Sequence, residues 1–78
     1  MDGNAMDEME ALVTSYRHLI RWYIQQHGSL VSVGLIVDQN PRFKDDRLFW
    51  EAAPILMKQE KAKWIKEKEQ NLANNFHG

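Results

Sequence analysis

Apolar side chains recur in steps of three and four from Met6 to Ile24, through Met9, Leu12, Val13, Tyr16, Leu19, Ile20 and Tyr23. That spacing keeps one stripe of an α-helix apolar over about five turns, and nothing else in the chain constrains the fold as strongly. Asp7, Glu8 and Glu10 lie in the first turns, where the positive end of the helix dipole favours carboxylates. Gly28 follows His27 as a natural stop. The spacing therefore predicts a helix over residues 6–27, and the rest of the chain must supply a surface to cover its stripe.

The stretch Ser29 to Val37 reads Ser-Leu-Val-Ser-Val-Gly-Leu-Ile-Val and admits two conformations. As a strand, Val31, Val33, Leu35 and Val37 would form one apolar face, in keeping with their β-branched content. As a helix it would be apolar nearly all round, with Ser29 as N-cap and Gly34 as its weak point. Pairing decides between them. The chain holds no second run of strand character, so a strand here would have to pair with its own copy across a symmetric dimer. A short buried helix is the expectation.

Asp38-Gln39-Asn40-Pro41 breaks that helix, because Pro41 pushes Asn40 out of helical geometry. Phe43, a lone aromatic in a polar loop, is expected to plug the edge of the core. Asp45 or Asp46 then caps a last helix running to about Asn71. Pro54 interrupts it, at a cost of about 3 kcal/mol for a proline inside a helix, so a kink or a break is expected there. Phe49, Trp50, Ala53, Leu56, Met57 and Trp64 share one face, while Leu48, Ala52 and Ile55 lie on another. The reading is an all-α fold: a small bundle of three to four helices, with the last one kinked at Pro54. Residues 1–5 read as a flexible leader, 6–72 as a single domain and 73–78 as a frayed tail.

A chain of 78 residues buries only about two-thirds of the surface it exposes when unfolded. It has no cysteine, so neither a disulfide nor a thiolate zinc site can support it. Its resources are three Trp, three Phe, two Tyr and four Met among many Leu, Ile and Val. Aromatics bury about 150–250 Å² each, and this set exceeds what so small an interior can hide. The surplus is expected to meet another protein, a second copy of the chain, or both.

The formal net charge is -1, so no global field favours nucleic acid or a membrane. Charge is nonetheless segregated. Residues 1–10 carry Asp2, Asp7, Glu8 and Glu10 without a cation, while residues 58–68 carry five Lys against Glu60 and Glu67. No stretch approaches the roughly 20 apolar residues of a membrane span, and the acidic start lacks a secretory pattern. A cytoplasmic location is expected.

Catalytic chemistry finds little support. Ser15 and His18 are close enough on a helix to approach each other, but no carboxylate is placed to orient the imidazole and no glycine turn offers an oxyanion hole. His18 and His27 project about 180° apart on an ideal helix, so they do not converge with Asp38 on a metal. Asp45 and Asp46 are adjacent, which suits capping better than sharing a proton. The four glycines are dispersed and form no phosphate cradle. The expectation is no enzyme, no metal and no cofactor.

Recognition finds more. On a helical wheel Trp22 projects roughly opposite the core stripe, near Ala11, Ser15 and His18. Either another element covers it or it meets a partner, since interfaces favour tryptophan. The expected function is a non-catalytic protein–protein interaction module of the kind found among small regulators, inhibitors and assembly factors, host- or virus-encoded. Its expected contacts are Trp22 with His18 and Arg21, then Trp64 and Ile65. The alternative is a nucleic-acid-binding accessory protein that grips phosphates with Lys58, Lys61, Lys63, Lys66 and Lys68 and stacks a base on Trp64. Against it, Glu60, Glu67 and Glu69 interleave with the lysines, and Lys63 is spaced to pair with Glu67. A helix-turn-helix is disfavoured, because 29–37 is too apolar to read bases and the approach from Arg42 to Arg47 is too acidic.

Overall fold

A computed structural model describes residues 4–77 of the chain, with side-chain surroundings for 7–71. Helix α1 spans Asn4–His27, α2 spans Val33–Gln39 and α3 spans Arg47–His77; 3-10 turns lie at Gly28–Leu30 and Pro41–Phe43. Among the described residues there is no strand. The outer helices run further than the sequence suggested. α1 starts inside the stretch read as a leader, and α3 continues through the stretch read as a tail.

The middle of the chain departs from expectation in its cap. Gly28 ends α1 with φ at +75°, the left-handed region that only glycine enters without penalty. The turn that follows delivers Val31 in extended geometry, and Ser32 rather than Ser29 becomes the N-cap of α2. Its Oγ accepts a hydrogen bond from the Leu35 amide at 3.2 Å. This later start turns Val31, Ile36 and Val37 inward and leaves Leu30 almost fully exposed. The stretch is thus a turn plus a two-turn helix, not the single helix led by Ser29.

Asn40 ties α2 to α1. Its Nδ2 donates to the Ile36 carbonyl at 2.8 Å and to the Tyr23 hydroxyl at 2.9 Å, while that hydroxyl donates to Gln39 Oε1 at 2.9 Å. Asp46 does the same for α3. Its Oδ1 accepts from the Phe49 amide at 3.1 Å as an N-cap, and its Oδ2 accepts from the Tyr16 hydroxyl at 2.7 Å. Pro54 lies inside α3, which is not divided into two helices there. The missing N–H leaves the Trp50 carbonyl without its helical donor, and both residues face solvent, where water can serve instead.

The core takes Tyr16, Ile20, Tyr23 and Ile24 from α1, Ile36 and Val37 from α2, and Phe49, Ala53, Leu56 and Met57 from α3. Val31 and Phe43 complete it from the connections. Phe43 stacks on Phe49 at 4.3 Å between ring centres, and Tyr16 meets both rings edge-on. Contacts advance together along the two long helices, from Tyr16 with Phe49 to Arg21 with Glu67, so α1 and α3 run in the same sense. α3 begins level with Tyr16. The first turns of α1 therefore project past it, and Met9 and Leu12, which the stripe placed in the core, are about half exposed.

Candidate interaction surfaces

Trp22 stands on the outer side of α1 with 52% of its surface exposed. Its indole meets the Tyr23 ring edge-on, 5.1 Å between centres. Since Tyr23 is buried and held by Gln39 and Asn40, the exposed indole rests on a fixed ring. His18 is exposed one turn earlier. Arg21 reaches the other way, to within 3.9 Å of Glu60 and 3.8 Å of Glu67 on α3. Trp64 is partly buried against the core beside Gly28, and the Lys68 ammonium sits 5.4 Å from its ring centre. Ile65, the next residue, is exposed about 100° further round the helix. The five residues singled out from the sequence thus fall on separate surfaces. Trp22 and His18 share one, Arg21 braces α1 against α3, Trp64 packs inward and Ile65 faces out beside Lys61, Lys68 and Glu69.

Beside Trp22 lies a surface the sequence did not reveal. Leu12, Ser15 and Leu19 of α1 form one wall of an open groove of about 320 Å³, and Arg42 and Phe43 form the other. Leu12, Ser15, Leu19 and Trp22 are spaced i, i+3, i+7 and i+10, so the indole extends the first wall by one turn. The Arg42 guanidinium lies 4.6 Å from the Phe43 ring centre, its charge at the rim. Tyr16 and Asp46 also line the groove. Burial pushes the Tyr16 hydroxyl up to about 12, helped by the bond it donates to Asp46 and by that carboxylate's charge, so it remains a neutral donor. Leu12 and Leu19 both belong to the apolar stripe of α1; Leu19 packs against the core cluster while Leu12 is exposed. The signal that would have found them is their position at the edge of that stripe nearest Trp22.

Glu60 is the second surprise. It is 3% exposed, although its neighbours in sequence suggested a solvated helix. Arg17 donates to its Oε2 at 2.9 Å and also to Gln59 Oε1 at 3.1 Å, and Lys63 donates to the same Glu60 oxygen at 3.3 Å. Burial pushes the Glu60 carboxyl up, but the hydrogen bonds and charges of Arg17 and Lys63 outweigh it and hold the group below its ordinary value. The expected Lys63–Glu67 pair gives way to Lys63–Glu60, while Glu67 faces Arg21.

This leaves the lysine run divided. Lys58 and Lys66 are exposed and Lys61 is partly so, whereas Lys63 serves Glu60 and Lys68 covers the Trp64 ring. A base stacking on Trp64 would first have to displace Lys68. Among the described residues no group of three His, Asp or Glu side chains is placed to hold a metal ion, and no helix is long and apolar enough to cross a membrane. No protein-family model matches the chain, and no curated protein or solved structure was found similar to it.

Proposed function

We propose that the chain is a non-catalytic protein-interaction module, a small regulator, inhibitor or assembly factor that docks a partner through the α1 groove and Trp22. The observation that carries this reading is a half-exposed tryptophan seated on an immobilised tyrosine beside an open apolar groove. Interfaces concentrate their binding energy in such anchors, because a rigid aromatic loses little freedom on contact. A partner helix laid along the groove would set apolar side chains between Leu12, Leu19 and Phe43 and offer a carboxylate to Arg42. In this reading the packed helices serve as a small bundle that holds the groove open. The chain acts in a reducing compartment such as the cytoplasm, which suits a protein built without cysteine.

A photo-reactive amino acid placed at Trp22, and separately at Glu51 on α3, tests the proposal in the cells that make the protein. Adducts of one defined mass should form from position 22 and not from position 51. Trp22→Ala should remove binding of that partner while costing no more than about 1.5 kcal/mol of stability, since the exposed ring gives up mainly its contact with Tyr23. No adduct at position 22, or unfolding of Trp22→Ala, would remove the proposal.

A further inference from the structure

The α1 wall of the groove is made by Leu12, Ser15, Tyr16 and Leu19, spaced i, i+3, i+4 and i+7. Four residues at that spacing form the diamond on a helix surface into which a side chain of a neighbouring helix inserts. This diamond has one small member, Ser15, set between two leucines, and the open space of about 320 Å³ lies between it and Phe43. One heptad further on, Leu19, Trp22, Tyr23 and Gln26 repeat the spacing, but there the Trp22 indole meets Tyr23 edge-on and presents a ring. Arg42, on the opposite wall, forms no ion pair among the described residues. The groove's carboxylate, Asp46, is already occupied by the Tyr16 hydroxyl and the Phe49 amide. Glu8, one turn before Leu12 on the same stripe, would repel an acid at that end. The groove beside Trp50, by contrast, carries Asp38 and Lys44 together and prescribes neither sign.

We infer that the α1 groove accepts a partner helix of one sequence pattern. A large apolar side chain enters the diamond around Ser15, an acidic residue one turn from it meets Arg42, and a second apolar residue seven positions away rests on Trp22. Seven residues of helix advance about 10.5 Å, the same step that separates the two diamonds on α1, so both contacts form when the helices lie nearly side by side. Ser15 sets the size of the entering side chain, because any larger residue there would fill the diamond. Arg42 sets the sign, and its guanidinium loses little freedom on binding because it already lies 4.6 Å from the Phe43 ring centre. The inference rests on the reading of this groove as the docking site and adds which helix it takes.

A phage-displayed library of single amphipathic helices, randomised along one face, tests it with the full chain as bait. Helices enriched on the wild-type chain should carry Leu, Ile, Met or Phe at two positions seven apart, with Asp or Glu one turn from one of them. On Arg42→Glu as bait the acid should give way to Lys or Arg. Synthetic peptides of the enriched sequences should bind Ser15→Leu roughly tenfold or more weakly than wild type. Ser15→Ala, which leaves the diamond open, should bind them as tightly as wild type. Ser15 and Arg42 are exposed, and circular dichroism checks that each bait folds; Ser15→Gln fills the same space should the leucine variant fail. Recovery of no helix overturns the inference and leaves the Trp22 reading to its own cross-link in cells. Enriched helices without the seven-residue spacing, without an acid that switches with Arg42, or indifferent to Ser15→Leu would equally overturn it.

Discussion

Glutamine at position 60 keeps the length of the glutamate side chain and removes its charge. In the folded chain this carboxylate is 3% exposed and accepts from Arg17 at 2.9 Å and Lys63 at 3.3 Å. A hydrogen bond to a charged group contributes about 1.5–3 kcal/mol, against about 0.5–1.5 for a neutral one, so two weakened bonds lose ~2–3 kcal/mol together. Relief from burying a charge offsets part of that. Arg17 and Lys63 keep 35% and 60% of their side chains in solvent, so both can turn to water when the charge goes. The loss should therefore stay below the ~3–5 kcal/mol seen when a buried partner is stranded. We expect Glu60→Gln to cost ~2 kcal/mol at pH 7, a fall in melting temperature of about 8–16 °C for a domain of this size. The pH dependence fixes the cause. Glu60 titrates below its unfolded value of 4.5, so its contribution is complete above that value and fades as pH falls through the folded one. Unfolding curves of the two proteins, measured in urea from pH 7 to pH 2.5, should converge on the acid side. Equal stability at pH 7, or a gap that persists unchanged in acid, would refute the charge-based account of this cluster.

Two further substitutions test the joints of the fold. Gly28→Ala places a Cβ 3.9 Å from the Trp64 ring, an ordinary contact, so the penalty is that of the backbone at φ +75° alone, about 1–2 kcal/mol; a loss of only a few tenths in urea unfolding would mean the turn relaxes out of the left-handed region. Tyr16→Phe should cost ~1–2 kcal/mol by leaving Asp46 Oδ2 without its donor. Because the folded Tyr16 hydroxyl is raised to about 12 from 10, its contribution is whole below pH 10 and is lost as pH rises through 12, so the gap between wild type and Tyr16→Phe should narrow over that interval. A gap independent of pH there would remove the proposed bond.

Local periodicity made α1 legible, since every turn of its stripe repeats the same statement. The period says nothing about where another helix begins beside it, which is why Met9 and Leu12 read as core although α3 starts too late to cover them. On α3 the pattern was present but overruled. Glu60 stands at steps of three and four from Ala53, Leu56, Met57 and Trp64, the inward phase, yet its charge suggested solvent. Arg17 of α1, distant in sequence, joins Lys63 one turn on to make that burial tolerable. Trp50 fails in the opposite sense. Its spacing points inward, but its indole N–H donates to the Lys44 carbonyl at 2.8 Å, and that bond holds it at the surface. Ser29 and Ser32 have the same capping chemistry, and the choice between them was made by a backbone reversal at Gly28 that composition does not encode.

Tyr16 joins the interior to the proposed docking face. Its ring packs against Phe43 and Phe49, its hydroxyl fixes the start of α3 through Asp46, and its edge lines the groove beside Leu12 and Leu19. That bond ties the start of α3 to the level of Tyr16, and the turns of α1 before it lie uncovered. A domain with so little interior has few residues that serve recognition alone. Tyr16, Phe43 and Asp46 are bound to the fold, and changing them would alter groove and core together. Leu12, Ser15, Trp22 and Arg42 are the positions free to differ between partners, because each is exposed and none belongs to the buried cluster. Any division of labour between stability and specificity in this chain has to run along that line.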